Sequence, residues 1–338
     1  MASTPERIGG AVGVAVTQIR LLNRQHGFRH MAGTLADGRA FFAKLAPEAG
    51  AAAGAYGKGP RGPGAYGAGA EAVPAPHAAA FTAEANGLRW LAEADGGPPL
   101  PRVLGVGEDL LVSELLERQE QPSPAAARRL GADLARMHAA GAASFGAPWP
   151  GFIASLPLDN TPVGDTAPGN PRPGPAGQGQ PGSDATAGTG WGSWYAERRL
   201  VPYLKMARDG GLLGPADAAL VEAVTDRIGE LAGPPEPPSR IHGDLWSGNV
   251  LWSDGRGWLI DPAAHGGHRE TDLAMLALFG APELAEIVAG YTETVPLADG
   301  WRDRVALHQL HPLLVHVCLF GGGYTAQLTA AALAALAA

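Results

Sequence analysis

Cysteine occurs once in the 338 residues, as Cys318, so the chain cannot close an internal disulfide. Set between Val317 and Leu319, the thiol reads as buried and inert, and a single cysteine fits a reducing cytoplasm. Basic residues are short as well. Lys and Arg number 25 against 33 Asp and Glu, a net charge of -8, and no basic stripe appears. Binding a phosphate backbone needs clustered cations, so a nucleic-acid partner is excluded. Long apolar runs are missing too. The stretch 313–320 is too short to span a bilayer and contains His316, and the first seven residues lead into no apolar signal core, so no membrane partner is expected. With 46% apolar and 17% charged residues, the chain reads as a soluble globular protein long enough for two domains.

What the sequence has in abundance is glycine (49) and proline (30), concentrated in two stretches. Residues 47–80 and 164–190 hold too little apolar surface to offset the entropy of ordering, and both are expected to be disordered insertions. Around them, short strands give way to helices. Ile8, Val12, Val16 and Ile19 recur at helical steps, predicting a helix over 8–22. The Asp37-Gly38 pair marks a tight turn between two strands, the second running through Phe41-Phe42-Ala43-Lys44-Leu45. In the next helix Phe81, Leu88 and Leu91 face inward with Glu84 on the flank. Strands at 100–106 and 109–114 follow, and the second runs into a hinge at Leu115-Leu116. Helices are then predicted over 124–138, from Trp191 with Ser193 as a cap candidate, and over 216–231, 271–279, 283–294, 300–320 and 325–338. Residues 145–160 read as loop, and His138 as a helix-end or core histidine. The pattern is α+β: a small β-rich N-terminal lobe (1–116), a large mainly helical C-terminal lobe (117–338), and a cleft at their junction.

The chemistry concentrates in His242-Gly243-Asp244-Leu245-Trp246-Ser247-Gly248-Asn249, followed by Asp261 at the end of the next apolar run. Magnesium–nucleotide chemistry needs such a set, with hard oxygen ligands for the metal and a carboxylate for the acceptor's proton. The spacing matches the kinase loop H-x-D-x-x-x-x-N, with Asp261 where the metal-binding Asp of D-F-G falls. Asp244 is then the base, Asn249 and Asp261 the metal ligands, Lys44 the phosphate-binding cation and Glu84 its partner. Backbone at the hinge, Glu114 to Leu116, meets the adenine edge. Taken singly, Lys44 reads as a lysine snorkelling from a strand end, and Asp244 to Asn249 as turn residues. The ordered set is what carries the kinase reading. A metallohydrolase using His242, Asp244 and His265 or His268 is the chemical rival, but these histidines lack tight ligand spacing. Residues 26–33 lack the paired glycines of a phosphate loop.

The run 241–250, with Asp261-Pro262-Ala263, Gly267-His268 and Asp272-Leu273-Ala274, resembles the fructosamine/ketosamine-3-kinase family. That family is related to aminoglycoside phosphotransferases and shares the protein-kinase-like two-lobed fold. Trp246-Ser247 carry much of the distinction. Further echoes are Phe41 to Lys44, Glu84, Gly151-Phe152-Ile153, Trp194 to Leu200, His316, Phe320-Gly321 and Tyr324. The resemblance covers nearly the whole chain outside the two insertions. It implies ATP- and Mg2+-dependent phosphorylation of the 3-hydroxyl of a ketosamine, either a small molecule or a glycated protein amine. It assigns Asp244 as base, Asn249 and Asp261 to magnesium, and Lys44 and Glu84 to the nucleotide. Asp272 and His242 are structural, Asp272 bonding to the catalytic loop's backbone. Trp246 and His316 are acceptor-side candidates, and Trp246 reads equally as a partly buried core aromatic. Two alternatives stay open: transfer to another hydroxylated amine such as an aminoglycoside, and a nucleotide-binding regulator without catalysis.

Overall fold

The computed structural model describes residues 2–25, 27–47, 76–116, 121–162 and 190–338. The chain starts with a helix, Thr4–Val12 (α1), which stops at Gly13 in a left-handed cap (φ 76°). It continues as strands Val16–Gln25 (β1), Phe28–Leu35 (β2) and Ala40–Leu45 (β3). The helix expected over 8–22 is therefore corrected to a helix and a strand. Val16 and Ile19 fit a helical step only by coincidence, and pairing with β2 decides their conformation. Helix Pro76–Ala92 (α2) follows, then strands Val103–Val106 (β4) and Leu110–Glu114 (β5). Of the stretch 47–80, residues 48–75 lie outside the described residues, but 76–80 are the first turn of α2 rather than insertion. Proline is tolerated at a first helical position and three alanines follow it.

The five strands form one antiparallel sheet in the order β1-β2-β3-β5-β4. Alternation along β3 buries Phe41, Ala43 and Leu45 against Ile8 of α1, Leu110 and Val112. The opposite face receives Phe81, Ala85 and Leu88 of α2 over Leu111. Lys44 belongs to this second face. Register places it opposite His30 on β2 and Leu111 on β5.

The larger part opens with helix Pro124–Ala139 (α3), capped by Ser123, whose hydroxyl accepts the Ala126 N–H at 3.1 Å. A short hairpin, Gly151–Ile153 (β6) with Leu156–Leu158 (β7), lies within the segment expected to be loop. Helix Trp191–Tyr195 (α4) runs through a π-helical turn, Ala196–Leu200, into Val201–Asp209 (α5). Its N-cap is Gly190, so Ser193 sits inside the first turn and is no cap. Residues 163–189, nearly all of the expected insertion 164–190, lie outside the described residues. The single helix expected over 216–231 is two, Pro215–Asp226 (α6) and Ile228–Leu231 (α7), interrupted where Arg227 leaves helical geometry at φ -101° and ψ 11°.

Strand Ser239–Ile241 (β8) leads to the loop of residues 242–249 and its 3-10 turn, Ser247–Asn249. Next come Val250–Ser253 (β9), Arg256–Leu259 (β10) and His265–Gly267 (β11), with β9 paired to β10 and β8 to β11. Helices Glu270–Leu278 (α8), Leu284–Thr294 (α9), Trp301–Phe320 (α10) and Thr325–Ala337 (α11) complete the chain. One core joins α3, α8 and α9 to β9 and β10, and another joins α4 to α6 with α10 and α11. Cys318 lies buried in the second. Among the described residues no helix is long and apolar enough to cross a membrane. A small antiparallel sheet unit beside a large helical one is the expected two-lobed, kinase-like arrangement.

Candidate active site

On the sheet side, Lys44 is the central cation. Its Nζ donates to both oxygens of Glu84, at 3.1 and 2.9 Å, and to Oδ1 of Asp261 at 2.9 Å. Glu84 reaches it because Phe81, Ala85 and Leu88 turn inward and leave position 84 on the flank of α2. Burial works against the Lys44 charge, yet Asp261 and Glu84 more than offset it, so its pKa stands above the usual lysine value. Of the two carboxylates sharing it, Glu84 is the more enclosed, and burial above all pushes its pKa up. Asp261 is 42% exposed, and Lys44 holds its pKa below the ordinary value against the effect of burial.

The opposite wall is the loop between β8 and β9, and Asp272 sets its shape. This fully buried carboxylate accepts the His242 N–H at 2.7 Å and the Gly243 N–H at 2.9 Å, from the start of α8. The His138 Nε2 lies 3.1 Å from it, and the His138 Nδ1 lies 2.8 Å from the Tyr291 hydroxyl. Gly243 adopts φ 81°, and a Cβ there would come within 2.4 Å of the Ala263 carbonyl, so only glycine lets the loop turn this closely. The His242 Nε2–H donates to the Ile260 carbonyl at 2.9 Å, and its Nδ1 accepts the Asp244 N–H at 3.3 Å. Both ring nitrogens are therefore engaged, and burial lowers the pKa, keeping the ring neutral. That removes His242 from the rival metallohydrolase set.

His265 is held through one ring nitrogen. Its Nδ1–H donates to the Ala263 carbonyl at 2.8 Å, and burial lowers its pKa to about 3. His268 falls in a separate buried group with Glu270 and His308. There the Glu270 carboxylate accepts two hydrogen bonds from Arg304, at 2.9 and 2.6 Å. This group roots α8 in the helical core.

Asp244 and Asn249 face each other across the loop. The Asn249 Nδ2 donates to the Asp244 main-chain oxygen at 2.8 Å and to Oδ2 at 3.1 Å. Burial, and then the Asp261 charge, raise the Asp244 pKa to about 7. Asp261 enters from the end of β10 with φ 52°, a left-handed conformation that aspartate tolerates better than most residues.

Glu84, Asn249 and Asp261 border two adjoining cavities, and Lys44 and Asp244 line the smaller of them. The larger, about 680 Å³, runs back to the hinge and is bounded by Glu114, Leu115, Leu116, Leu88 and Leu251. Its size is in the range usual for small-molecule sites. At the hinge the Glu114 N–H is bonded to the Arg102 carbonyl at 2.9 Å and the Leu115 N–H to Ala40 at 3.4 Å. The smaller cavity, about 280 Å³, opens on the far side of Asp244 beside the β6–β7 hairpin. Trp246, 38% exposed, borders both. Its indole lies so close over Gly248 that a Cβ there would be 2.1 Å from the ring. The Trp246 ring meets Phe279 edge-on at 6.5 Å, and Phe279 meets His316 at 5.1 Å. The His316 Nδ1–H donates to Pro312 at 2.7 Å and its ring packs on Tyr324, so it reaches the loop only through Phe279.

Two features escaped sequence reading. His30 borders both cavities because it is the cross-strand partner of Lys44, a relation implicit in the Asp37-Gly38 turn once register is counted. The hairpin at 151–158 has no such signal, because its anchor, Arg199, comes 40 residues later.

A family model described as Fructosamine kinase matches residues 182–337. Proteins carrying the ketoamine kinase name are similar over most of the chain. The one from Synechocystis is 36% identical over 258 residues (73% of this chain, 75% of the relative), and the one from Thermus thermophilus is 34% identical (73% and 79%). A Thermobifida fusca structure carrying the fructosamine-3-kinase name superposes with a TM-score of 0.81 at 44% identity, covering 99% of both chains. The aminoglycoside phosphotransferase APH(4)-Ia, at 15% identity and TM-score 0.58 over 99% of this chain and 98% of its own, shares the fold.

Proposed function

The chain belongs to the fructosamine kinase family, and from that premise we propose that it transfers the γ-phosphoryl group of ATP to the 3-hydroxyl of a ketosamine. The supporting observation is that Lys44, Asp244, Asn249 and Asp261 line one cavity together, and that Asn249 and Asp261 also line the larger cavity reaching the hinge. Lys44, oriented by Glu84, binds the α- and β-phosphates. The adenine lies towards the hinge against the backbone of Glu114 and Leu116, the Leu115 N–H being already engaged by Ala40.

The donor set suits magnesium. Both Asn249 N–H donors are spent on Asp244, which leaves its carbonyl oxygen for a cation, and the Asp261 carboxylate opens to the cleft. Magnesium held by Asn249 and Asp261 neutralises phosphate charge when bound.

Asp244 takes the acceptor's proton. Its Oδ2 is occupied by Asn249, so Oδ1 receives the hydroxyl hydrogen. The acceptor oxygen bonds to the γ-phosphorus as the bond to the β–γ bridging oxygen breaks, and ADP leaves with that electron pair. A carboxylate whose pKa is raised to about 7 is basic enough for this at neutral pH. A protonated ketosamine amine suits the Asp244 carboxylate and the aromatic side chains of the smaller cavity. Trp246 flanks the acceptor, with His316 supporting it through Phe279. Free ketosamines or glycated protein amines in the cytoplasm are the proposed acceptors.

The test is transfer from ATP to fructosyl-lysine with magnesium present, with the phosphorylated hydroxyl located by NMR and an aminoglycoside run in parallel. A 3-phosphate formed by wild type and lost in Asp244→Asn is expected. Transfer that is unchanged in Asp244→Asn, or directed only to the aminoglycoside, overturns the reading.

A further inference from the structure

Past Asp244, on the side away from the hinge, the cleft changes character. Its carboxylates, Glu84, Asp244 and Asp261, lie together at the floor, while its outer walls are aromatic. One wall comes from the sheet unit. Phe28, at the start of β2, packs edge-to-face on Phe81 of α2 at 5.9 Å. The other comes from the helical unit, where Trp149 and Phe152 stand at and just before the β6–β7 hairpin and Trp149 meets Trp90 edge-on at 5.8 Å.

A hairpin of two three-residue strands does not hold its own shape, so something must fix it from behind. Arg199 does so. It is 1% exposed, and its guanidinium lies 4.2 Å from the Trp194 ring centroid. Nη1 donates to the Asp159 carbonyl at 2.5 Å and Nη2 to Oδ1 of the buried Asn160 at 2.7 Å, just past β7. The Tyr203 hydroxyl donates to the Pro157 carbonyl at 2.7 Å, and the Trp194 Nε1–H to Thr161 at 3.1 Å. Burying a cation on carbonyl oxygens and an indole face, with no carboxylate bonded to it among the described residues, costs desolvation that packing alone does not require. At the tip, Ala154 is held at φ 51°, a left-handed conformation unfavourable for alanine, and it too lines the cavity. Strain kept at a cavity wall is a mark of a functional segment.

We infer that this preformed wall, with Phe28 and Phe81 opposite, is a subsite for the substituent on the acceptor's amine, and that it takes an apolar or aromatic group. The inference rests on the ketosamine reading above. With the reacting hydroxyl at Asp244, the ammonium lies beside that carboxylate and the rings, and the substituent projects between Phe152 and Phe81. Among the described residues, the wall side chains Phe28, Phe81, Trp149 and Phe152 carry no charge.

The experiment compares N-fructosyl-phenylalanine with N-fructosyl-glycine, which differ by a benzyl group at constant charge. Wild type is expected to prefer the phenylalanine compound by about 10-fold in kcat/KM, the gain from enclosing a benzyl group. Phe152→Ala should cut that preference to below about 3-fold, through the acceptor KM, with the KM for ATP unchanged. If Phe152→Ala does not fold, Trp149→Ala makes the same measurement. Transfer to both acceptors without preference, or a preference that survives both substitutions, overturns the subsite alone. Absence of transfer to either compound by wild type sinks the ketosamine reading and the subsite with it.

Discussion

The Asn249 side chain spends both N–H donors on Asp244, one on its main-chain oxygen and one on Oδ2. A single amide thereby orients the carboxylate that we propose meets the acceptor and, in that reading, leaves its own oxygen for the metal. Asn249→Ala removes both effects. Turnover should fall roughly 100-fold, and half-saturating magnesium should rise by about 10-fold or more. A magnesium titration of ATP turnover checks this, and an unchanged magnesium requirement would remove Asn249 from the metal set.

The raised Asp244 pKa gives two linked expectations. If Asp244 is the base it must be ionised, so kcat/KM for the acceptor should fall with unit slope below about pH 7. Asp244→Asn should lower turnover by about 10²–10⁴-fold while leaving ATP binding in place. Stability moves the other way. The folded pKa lies above the unfolded one, so the destabilisation is absent below about pH 4, grows as pH rises to about 7, and is constant beyond. Asp244→Asn should therefore be more stable than wild type at pH 8, on the order of 1–3 kcal/mol after allowing for partial exposure, with a smaller gap at pH 5. Melting curves at the two pH values decide it.

Asp272 holds the loop between β8 and β9 from inside the fold. Replacing it with alanine leaves the His242 and Gly243 N–H groups buried without an acceptor, beside His138. A loss of about 3–5 kcal/mol is expected, together with loss of turnover. Its folded pKa is depressed despite burial, so its contribution is present above the unfolded value and is lost as pH falls through the folded one. Denaturant melts of Asp272→Ala at neutral pH measure the loss, and a change below 1 kcal/mol would contradict it.

Lys44 and the loop at 242–249 are legible in the sequence because local rules decide them. A period-two run puts Lys44 on the face opposite Phe41, Ala43 and Leu45, and the loop is defined by residue chemistry at fixed spacing. Strand β1 is not legible. It is a sheet edge with most of its side chains exposed, so no alternation marks it, and Val16 and Ile19 mimic a helical step. The hairpin at 151–158 is hidden for a different reason. Its own eight residues carry no strand pattern, and Arg199, Tyr203 and Trp194 hold it from a distant helix. His30 becomes readable only through register with Lys44.

Gly248 offers a test of Trp246 that leaves every catalytic group in place. Its backbone is not left-handed, so alanine is conformationally allowed there. The difficulty is the indole, 2.1 Å from where the Cβ would sit. The ring is 38% exposed, while the backbone beside Gly248 is held by the Asn249 N–H to the Trp246 carbonyl at 2.9 Å and the Ile260 N–H to the Asn249 carbonyl at 3.1 Å, so the ring is the part that yields. Gly248→Ala should cost less than about 1 kcal/mol in stability, because an exposed side chain can relocate. Intrinsic fluorescence should change as the indole leaves Phe279. If Trp246 flanks the acceptor, the acceptor KM should rise by about 10-fold, the loss of one aromatic contact, while the KM for ATP changes little. A displaced indole with unaltered acceptor kinetics would mean that Trp246 packs against Phe279 and contributes nothing to the acceptor.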